Sequence, residues 1–368
     1  MVLLALSTVF IGVAFAAPNG LKLRSLTPLP SSGRPKFTIG NNAVSWFADV
    51  QVGNQTFNLI VDTGSANTWI GSNKTFIPVP GNINTHQSFS LQYGGSYANG
   101  TQWIADVTVA GLKATNQSIG VASYWESFGV DGSDGILGLG CIGQTTDVVS
   151  NTPSVPTFLN NLKTQGLIED EVLGVYLAPM PRGETYARNG EMTIGWIDHS
   201  RYDGEITWTG PAPKSDTGML SSWVVPVEGV VSDGVQLQSY SGGSALFDTG
   251  VTHLFAPPDV FTEWLEKAGG TYNNTYYLSA FEKRPTATFG LKINGTNFEL
   301  TPEQYLIPEH LYHVWDLPHD NIWSHISTAG PGNFFVGDAF LESFYTVYDT
   351  DNARIGFAPA LHFHGNAA

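Results

Sequence analysis

Leu59-Ile60-Val61-Asp62-Thr63-Gly64-Ser65 and Ala245-Leu246-Phe247-Asp248-Thr249-Gly250-Val251 decide the fold of this chain. Each is an apolar run that delivers one carboxylate into a tight Thr-Gly turn. A buried strand carries an Asp at its end only if neighbouring donors satisfy it. One such segment is compatible with a bend held by local hydrogen bonds. Two, with their aspartates 186 residues apart, point to two related halves that each contribute one member of a carboxylate pair. A second echo supports duplication: Ile136-Leu137-Gly138 in the first half matches Phe335-Val336-Gly337 in the second.

Around these segments the composition is that of a globular protein, with 42% hydrophobic, 12% aromatic and only 13% charged residues among 368. That length holds a large core and two domains of ordinary size. Gly 41 and Pro 21 favour turns and short strands, and β-branched and aromatic residues alternate with polar ones between Gly and Asn punctuation. The fold class expected is all-β. Two helices break the pattern. One is expected over 256–267, started at Pro258 or Asp259 and ended by Gly269-Gly270, and the other over 154–165, closed by Gly166.

The net charge of −16 argues against nucleic acid and anionic membrane as partners, and the low Lys and Arg count suits an acidic medium. Residues 2–17 are apolar and end in small residues, too short for a comfortable membrane span. They are expected to be a signal peptide, 1–16, removed before Ala17 in a secreted protein. Residues 17–36 form a short basic leader or propeptide with Lys22, Arg24, Arg34 and Lys36. Cys141 is the only cysteine, so no internal disulfide is possible, and in Leu139-Gly140-Cys141-Ile142 it reads as a small buried hydrophobe. Six sequons, at Asn54, Asn73, Asn99, Asn116, Asn273 and Asn294, are the candidate N-glycosylation sites.

With two Asp-Thr-Gly turns in one chain, the sequence resembles the pepsin-like aspartic peptidases over nearly its whole length. Asp134-Gly135-Ile136-Leu137-Gly138-Leu139-Gly140 follows the family's first-half signature, and 340–350 with 354–358 follows its last strands. Together with Leu173-Gly174-Val175-Tyr176-Leu177 and the scarcity of cysteine, the closest likeness is to the polyporopepsin-like secreted peptidases of basidiomycete fungi. The resemblance implies a bilobal fold, two related β-rich lobes with the cleft between them, here 37–200 and 201–368. It implies a secreted acid endopeptidase, made as a zymogen, with Asp62 and Asp248 as catalytic residues. In the family each apolar-apolar-Gly segment threads beside its own lobe's Asp turn, where glycine permits close approach.

Two carboxylates at hydrogen-bond distance cannot both ionise readily, and they share one proton over a range of pH, a behaviour known from aspartic proteases as a class. The ionised member takes a proton from a water while the protonated member hydrogen-bonds the scissile carbonyl. Sequence does not say which is which, because the titration belongs to the pair. By resemblance Thr63 and Thr249 brace the two turns, Gly64 and Gly250 leave room for N–H groups aimed at the carboxylates, and Ser65 donates to Asp62. The residue matching Ser65 in the second turn is usually Thr or Ser, and here it is Val251, which removes one donor from Asp248. Thr252, one residue on, is expected to compensate in part.

Tyr93-Gly94-Gly95-Ser96 resembles the tip of the family's flap, one residue short of the common form, and Trp69 stands where the partner of the flap tyrosine is expected. Tyr93, Gly94, Gly95, Trp69 and Ile60 are the substrate-binding candidates. Some fungal relatives carry an acidic residue after Tyr-Gly and accept lysine at P1. Gly95 in that place predicts bulky apolar residues around the scissile bond. Protein or peptide substrates and statine inhibitors such as pepstatin are the implied ligands of a monomer that needs no metal and no cofactor.

Other patterns carry less. Gly138-Leu139-Gly140-Cys141-Ile142-Gly143 spells a dinucleotide fingerprint, but the polar stretch 145–153 supplies no following helix. The pairs His310/His313 and His362/His364 lack any H-E-x-x-H context, and no G-x-S-x-G elbow occurs. The competing reading is a catalytically weak relative that uses the same fold as a binding or inhibitor protein. Asp62, Gly64, Asp248, Gly250 and Tyr93 are all present, which favours activity; Val251 and the shortened flap are what favour the alternative.

Overall fold

The computed structural model describes residues 33–364 except 130, 211, 213–218, 241, 329, 331 and 333. The expected signal peptide and the leader up to residue 32 lie outside the described residues. The molecule is mostly β, 44% strand and 12% helix.

In the first half six strands close on themselves. Trp46–Val52 pairs with Gln55–Asp62, which runs parallel to Gly135–Gly138. Gly135–Gly138 pairs with Trp69–Ile70, followed by Leu112–Glu126 and Tyr97–Val109, and the last returns to Trp46–Val52. Closure removes the exposed edges that an open sheet would present. Phe57, Leu59 and Val61 alternate along Gln55–Asp62 and are fully buried, so the period of two drives one face inward and carries Asp62 to the strand's end.

The second half repeats the local arrangement. Gly243–Phe247 runs parallel to Phe334–Val336, which is antiparallel to Leu254–Ala256. In both halves the strand leading to the Asp turn therefore lies beside the apolar-apolar-Gly segment. A Cβ on Gly138 would stand 2.5 Å from the Ala66 carbonyl carbon, and one on Gly337 only 1.8 Å from the Val251 oxygen. Only glycine allows either approach.

A central antiparallel sheet joins the halves. Its order is Lys36–Asn41, Ala187–Ile194, Val172–Tyr176, Phe344–Asp349, Arg354–Pro359 and Thr207–Trp208. Three strands from before the boundary expected near residue 200 are followed by three from after it, and the two groups meet where Val172–Tyr176 pairs with Phe344–Asp349. Lys36, at the end of the expected leader, is already the first residue of this sheet, and its ammonium pairs with Glu191 at 2.9 Å.

The helix Pro258–Ala268 ends where Gly269 turns left-handed at φ 72, and it buries Val260, Phe261, Trp264 and Leu265 on one face. The other expected helix is shorter than the pattern suggested, running Phe158–Thr164. Val155 precedes a proline, which disfavours helical backbone, and its N–H donates instead to Thr145 Oγ1 at 3.0 Å. Thr157 then caps the helix by accepting the Asn160 N–H. Trp46, Trp69, Trp223, Trp264 and Trp323 are among the largest fully buried side chains, and Cys141 is a buried free thiol. A core of that size holds the fold without a disulfide.

Candidate active site

The two Thr-Gly turns meet end to end. The Thr63 N–H donates to Thr249 Oγ1 at 3.1 Å, and the Thr249 N–H donates to Thr63 Oγ1 at 3.0 Å. The Thr249 hydroxyl continues to the Val61 carbonyl at 2.7 Å, and Thr63 Oγ1 lies 3.3 Å from the Phe247 carbonyl. Each turn thus anchors in the strand that delivers the other. Both threonines are buried, so every one of these bonds is made away from competing water.

This brace brings Asp62 and Asp248 together. They are 5% and 8% exposed, and their only common donor in the turns is the Gly64 N–H, at 2.8 Å from Asp62 Oδ1 and 3.1 Å from Asp248 Oδ1. Asp62 also accepts the Ser65 N–H at 3.1 Å, and the Ser65 hydroxyl donates to Asp62 Oδ2. Asp248 accepts the Gly250 N–H at 2.7 Å. The donor set is therefore richer on Asp62. Burial and then the neighbouring Asp62 charge raise Asp248 well above the ordinary carboxylate range. That direction favours the protonated form of Asp248.

Thr252 does not supply the donor that Val251 lacks. Its hydroxyl donates to the Val44 carbonyl at 2.6 Å, tying the second turn to the loop before Trp46. The expected compensation fails because a long-range carbonyl, 208 residues away in the chain, captures that hydroxyl.

Trp69 Nε1 donates to the Tyr93 hydroxyl at 2.9 Å. Phe128 packs edge-on against both rings, at 5.0 and 5.1 Å. Gly94 and Gly95 form the bend between the strands Ile83–Gln92 and Tyr97–Val109, closed by Tyr93 N–H to the Ser96 carbonyl at 2.8 Å. Burial and the Asp62 charge raise the Tyr93 phenol far above its usual range, so it stays a neutral donor and acceptor. Ile60 packs with Trp69, Tyr93 and Phe128 in one apolar cluster.

Several contributors have no local signature. The Tyr348 hydroxyl donates to the Phe247 carbonyl and lies 3.2 Å from Thr63 Oγ1, which extends the brace. Gln144 Nε2 donates to the Gly64 carbonyl. Asp338 is buried behind the second turn, where its N–H donates to the Val251 carbonyl at 2.9 Å. Burial, then the charges of Glu342 and Asp248, raise its carboxyl well above the usual range. Tyr348 and Asp338 sit in apolar runs where the sequence reads as core, and Gln144 comes directly after the stretch that spells the dinucleotide pattern.

The sequons differ in what their amides do. Asn54 and Asn116 are exposed, while Asn99 and Asn273 are half-buried. Asn73 is exposed, but its Nδ2 donates to the Gly129 and Ser133 carbonyls, both at 2.8 Å. Asn294 Nδ2 donates to the Trp208 carbonyl at 3.1 Å. Among the described residues no three His, Cys, Asp or Glu side chains gather where they could hold a metal ion, and no helix is long and apolar enough to cross a membrane.

Comparison with known proteins places this geometry. Residues 45–360 match the family model described as eukaryotic aspartyl protease. Polyporopepsin from Irpex lacteus is 32% identical over 86% of this chain and 95% of its own length. Cathepsin E-B from Xenopus laevis is 29% identical over 87% of this chain and 80% of its own. The crystal structure of the aspartic proteinase from Irpex lacteus superposes with a TM-score of 0.83 at 30% identity, covering 90% of this chain and 99% of that one.

Proposed function

This chain belongs to the eukaryotic aspartyl protease family and is a pepsin-like aspartic endopeptidase, and from that premise we propose that Asp62 and Asp248 are its catalytic dyad. The observation that carries the assignment is the single Gly64 N–H shared by both carboxylates at the meeting point of two braced turns. Asp62, with the fuller set of donors, is the ionised member. It takes a proton from a water as the water oxygen attacks the scissile carbonyl carbon. Protonated Asp248 hydrogen-bonds the carbonyl oxygen and neutralises it as charge develops. The diol collapses as the amine nitrogen takes the proton held by Asp62, one diol hydroxyl returns a proton to Asp248 and the C–N bond breaks, leaving one carboxylic acid, one amine and the dyad in its starting state.

The two related halves, 37–200 and 201–368, are the lobes, and the dyad lies at the base of the cleft between them. Tyr93, Gly94 and Gly95 form a flap over bound substrate. Ile60, Trp69, Tyr93 and Phe128 present an apolar, aromatic wall near Asp62, which supports preference for bulky apolar side chains beside the scissile bond. Digestion of a denatured protein from about pH 2.5 to 7, with mass spectrometry of the new termini, tests this. Cleavage clustered after large apolar residues is expected. Equal cleavage after lysine contradicts the preference, and a folded, processed protein without cleavage at any pH favours the binding-protein reading.

Val251 sets the pH range. A hydroxyl there would favour ionised Asp248, so its absence helps the carboxyl keep its proton to higher pH. Val251→Thr is expected to move the alkaline limb of the kcat/KM profile down by roughly one pH unit, the size of one added charge-assisted hydrogen bond. Superimposable profiles would refute the argument.

The remaining expectations follow from the segments around the catalytic unit. The protein is secreted through its signal peptide as a zymogen, binds statine inhibitors such as pepstatin, and works as a monomer. The sequons are its glycosylation sites, with Asn54 and Asn116 the best placed because neither requires breaking a side-chain amide bond such as those of Asn73 and Asn294. Glycopeptide mass spectrometry is expected to find high occupancy at Asn54 and Asn116 and low occupancy at Asn73. The reverse order contradicts this ranking.

A further inference from the structure

We infer that Gln144 is a positioning residue for the carboxylate pair, acting through a chain of hydrogen bonds that ends on Asp62. The inference rests on the proposed role of Asp62 and Asp248. The 3-10 turn Ile142–Thr145 follows the segment Gly135–Gly138 that runs beside the first Asp turn. Thr145 is fully buried and accepts the Val155 N–H at 3.0 Å, and the Gly143 N–H donates to the Leu220 carbonyl at 2.9 Å. The turn is therefore held to both halves of the chain, and Gln144 projects from a fixed base.

Both polar atoms of the Gln144 side chain are engaged. Oε1 accepts the Cys141 N–H at 2.8 Å, and Nε2 donates to the Gly64 carbonyl at 2.5 Å. That carbonyl belongs to the peptide unit linking Gly64 to Ser65. The N–H of the same unit donates to Asp62 Oδ1 at 3.1 Å. A donor on a peptide oxygen polarises the unit and strengthens its N–H as a donor. The chain thus runs from the Cys141 N–H, through the Gln144 amide and the Gly64–Ser65 peptide, to the carboxylate. Its orientation stabilises negative charge on Asp62.

Packing around the amide agrees with a placed group. A Cβ on Gly140 would lie 2.4 Å from Gln144 Oε1 and 2.7 Å from the Ser65 carbonyl oxygen. Gly140 leaves the space that Gln144 uses, and the Gly140 N–H donates to the Ser65 carbonyl at 2.7 Å. The peptides on both sides of Ser65 are therefore gripped from the same segment, one by a backbone N–H and one by Gln144.

The sign of the effect follows. Removing the Nε2 donor weakens the Ser65 N–H bond to the carboxylate, so Asp62 binds its proton to higher pH and the acidic limb of kcat/KM moves up. Gln144→Glu is the discriminating variant. Protonated, its hydroxyl donates to the Gly64 carbonyl while its other oxygen accepts from Cys141. Ionised, it has no proton to donate and sets a negative charge against that carbonyl.

The experiment is the pH dependence of kcat/KM for the parent, Gln144→Leu and Gln144→Glu, with thermal melts of each. For Gln144→Leu the expected result is an acidic limb shifted upward and a maximum reduced roughly five- to tenfold, the size of one lost hydrogen bond. For Gln144→Glu, activity close to the parent is expected at the acid end, falling toward or below the leucine level once the new carboxyl ionises. Three superimposable profiles would overturn the inference, as would one pH-independent factor in both variants, the signature of mere loosening. If Gln144→Leu does not fold, the near-isosteric glutamate variant alone decides. An inactive parent would overturn the dyad assignment and this inference with it, whereas an active parent with unchanged variants overturns this inference only.

Discussion

Asp248→Asn is expected to lower kcat/KM by on the order of ten-thousandfold or more, the scale on which catalytic groups that act as a unit fail when one is removed. Asparagine matches the shape of the protonated carboxyl and keeps the acceptor for the Gly250 N–H. It cannot release and regain a proton, so the carbonyl oxygen is not neutralised and the diol does not form. Stability should move the other way. The carboxyl of Asp248 is raised by burial and by Asp62, so the stability it contributes is present below the ordinary carboxylate range and lost as pH rises through its folded-state value. A neutral amide does not undergo that loss. The variant should melt higher than the parent at neutral pH and close to it near pH 3. Retained activity, or a variant less stable than the parent at neutral pH, contradicts this assignment of the proton.

The second large effect is expected from Gly64→Ala. A Cβ there would stand 2.0 Å from Asp248 Oδ2 and 2.3 Å from its Cγ, far inside contact distance. The side chain of Asp248 must swing away or the turn must open, and either breaks the shared Gly64 N–H. Misplacement by about 1 Å costs on the order of a hundredfold in rate, and displacement in a packed site adds about 1–3 kcal/mol of destabilisation. Activity is therefore expected to fall at least a hundredfold, read as kcat/KM beside a thermal melt. Gly210→Ala is the control, since nothing lies within 4 Å of its added methyl. Near-parent activity in Gly64→Ala would mean that the two carboxylates do not depend on that approach.

Local chemistry made much of this molecule legible from sequence. The runs before Asp62 and Asp248 alternate or fill with apolar residues, so their strands and the turns after them follow from burial alone. The helix Pro258–Ala268 announced both ends, a proline at its start and Gly269 in a left-handed turn after it. What stayed hidden depends on partners distant in the chain. Thr252 lies beside the second turn, yet its hydroxyl is claimed by Val44. Tyr348 reads as core and becomes part of the threonine brace only because Phe344–Asp349 pairs with Val172–Tyr176 across the middle of the chain. Gln144 sits in a stretch with no period, and its value comes from where Gly64 arrives, 80 residues earlier. The helix expected from residue 154 lost its first turn to Thr145, another side chain outside any local window.

The most direct measurement is cleavage of denatured haemoglobin or casein by the parent and by Asp62→Asn, from about pH 2.5 to 7, with and without pepstatin. A dyad of Asp62 and Asp248 predicts acidic activity in the parent, its block by the statine inhibitor, and its loss in the variant while the fold is kept. Parent-like cleavage by a folded Asp62→Asn variant, or activity indifferent to pepstatin, would contradict the dyad.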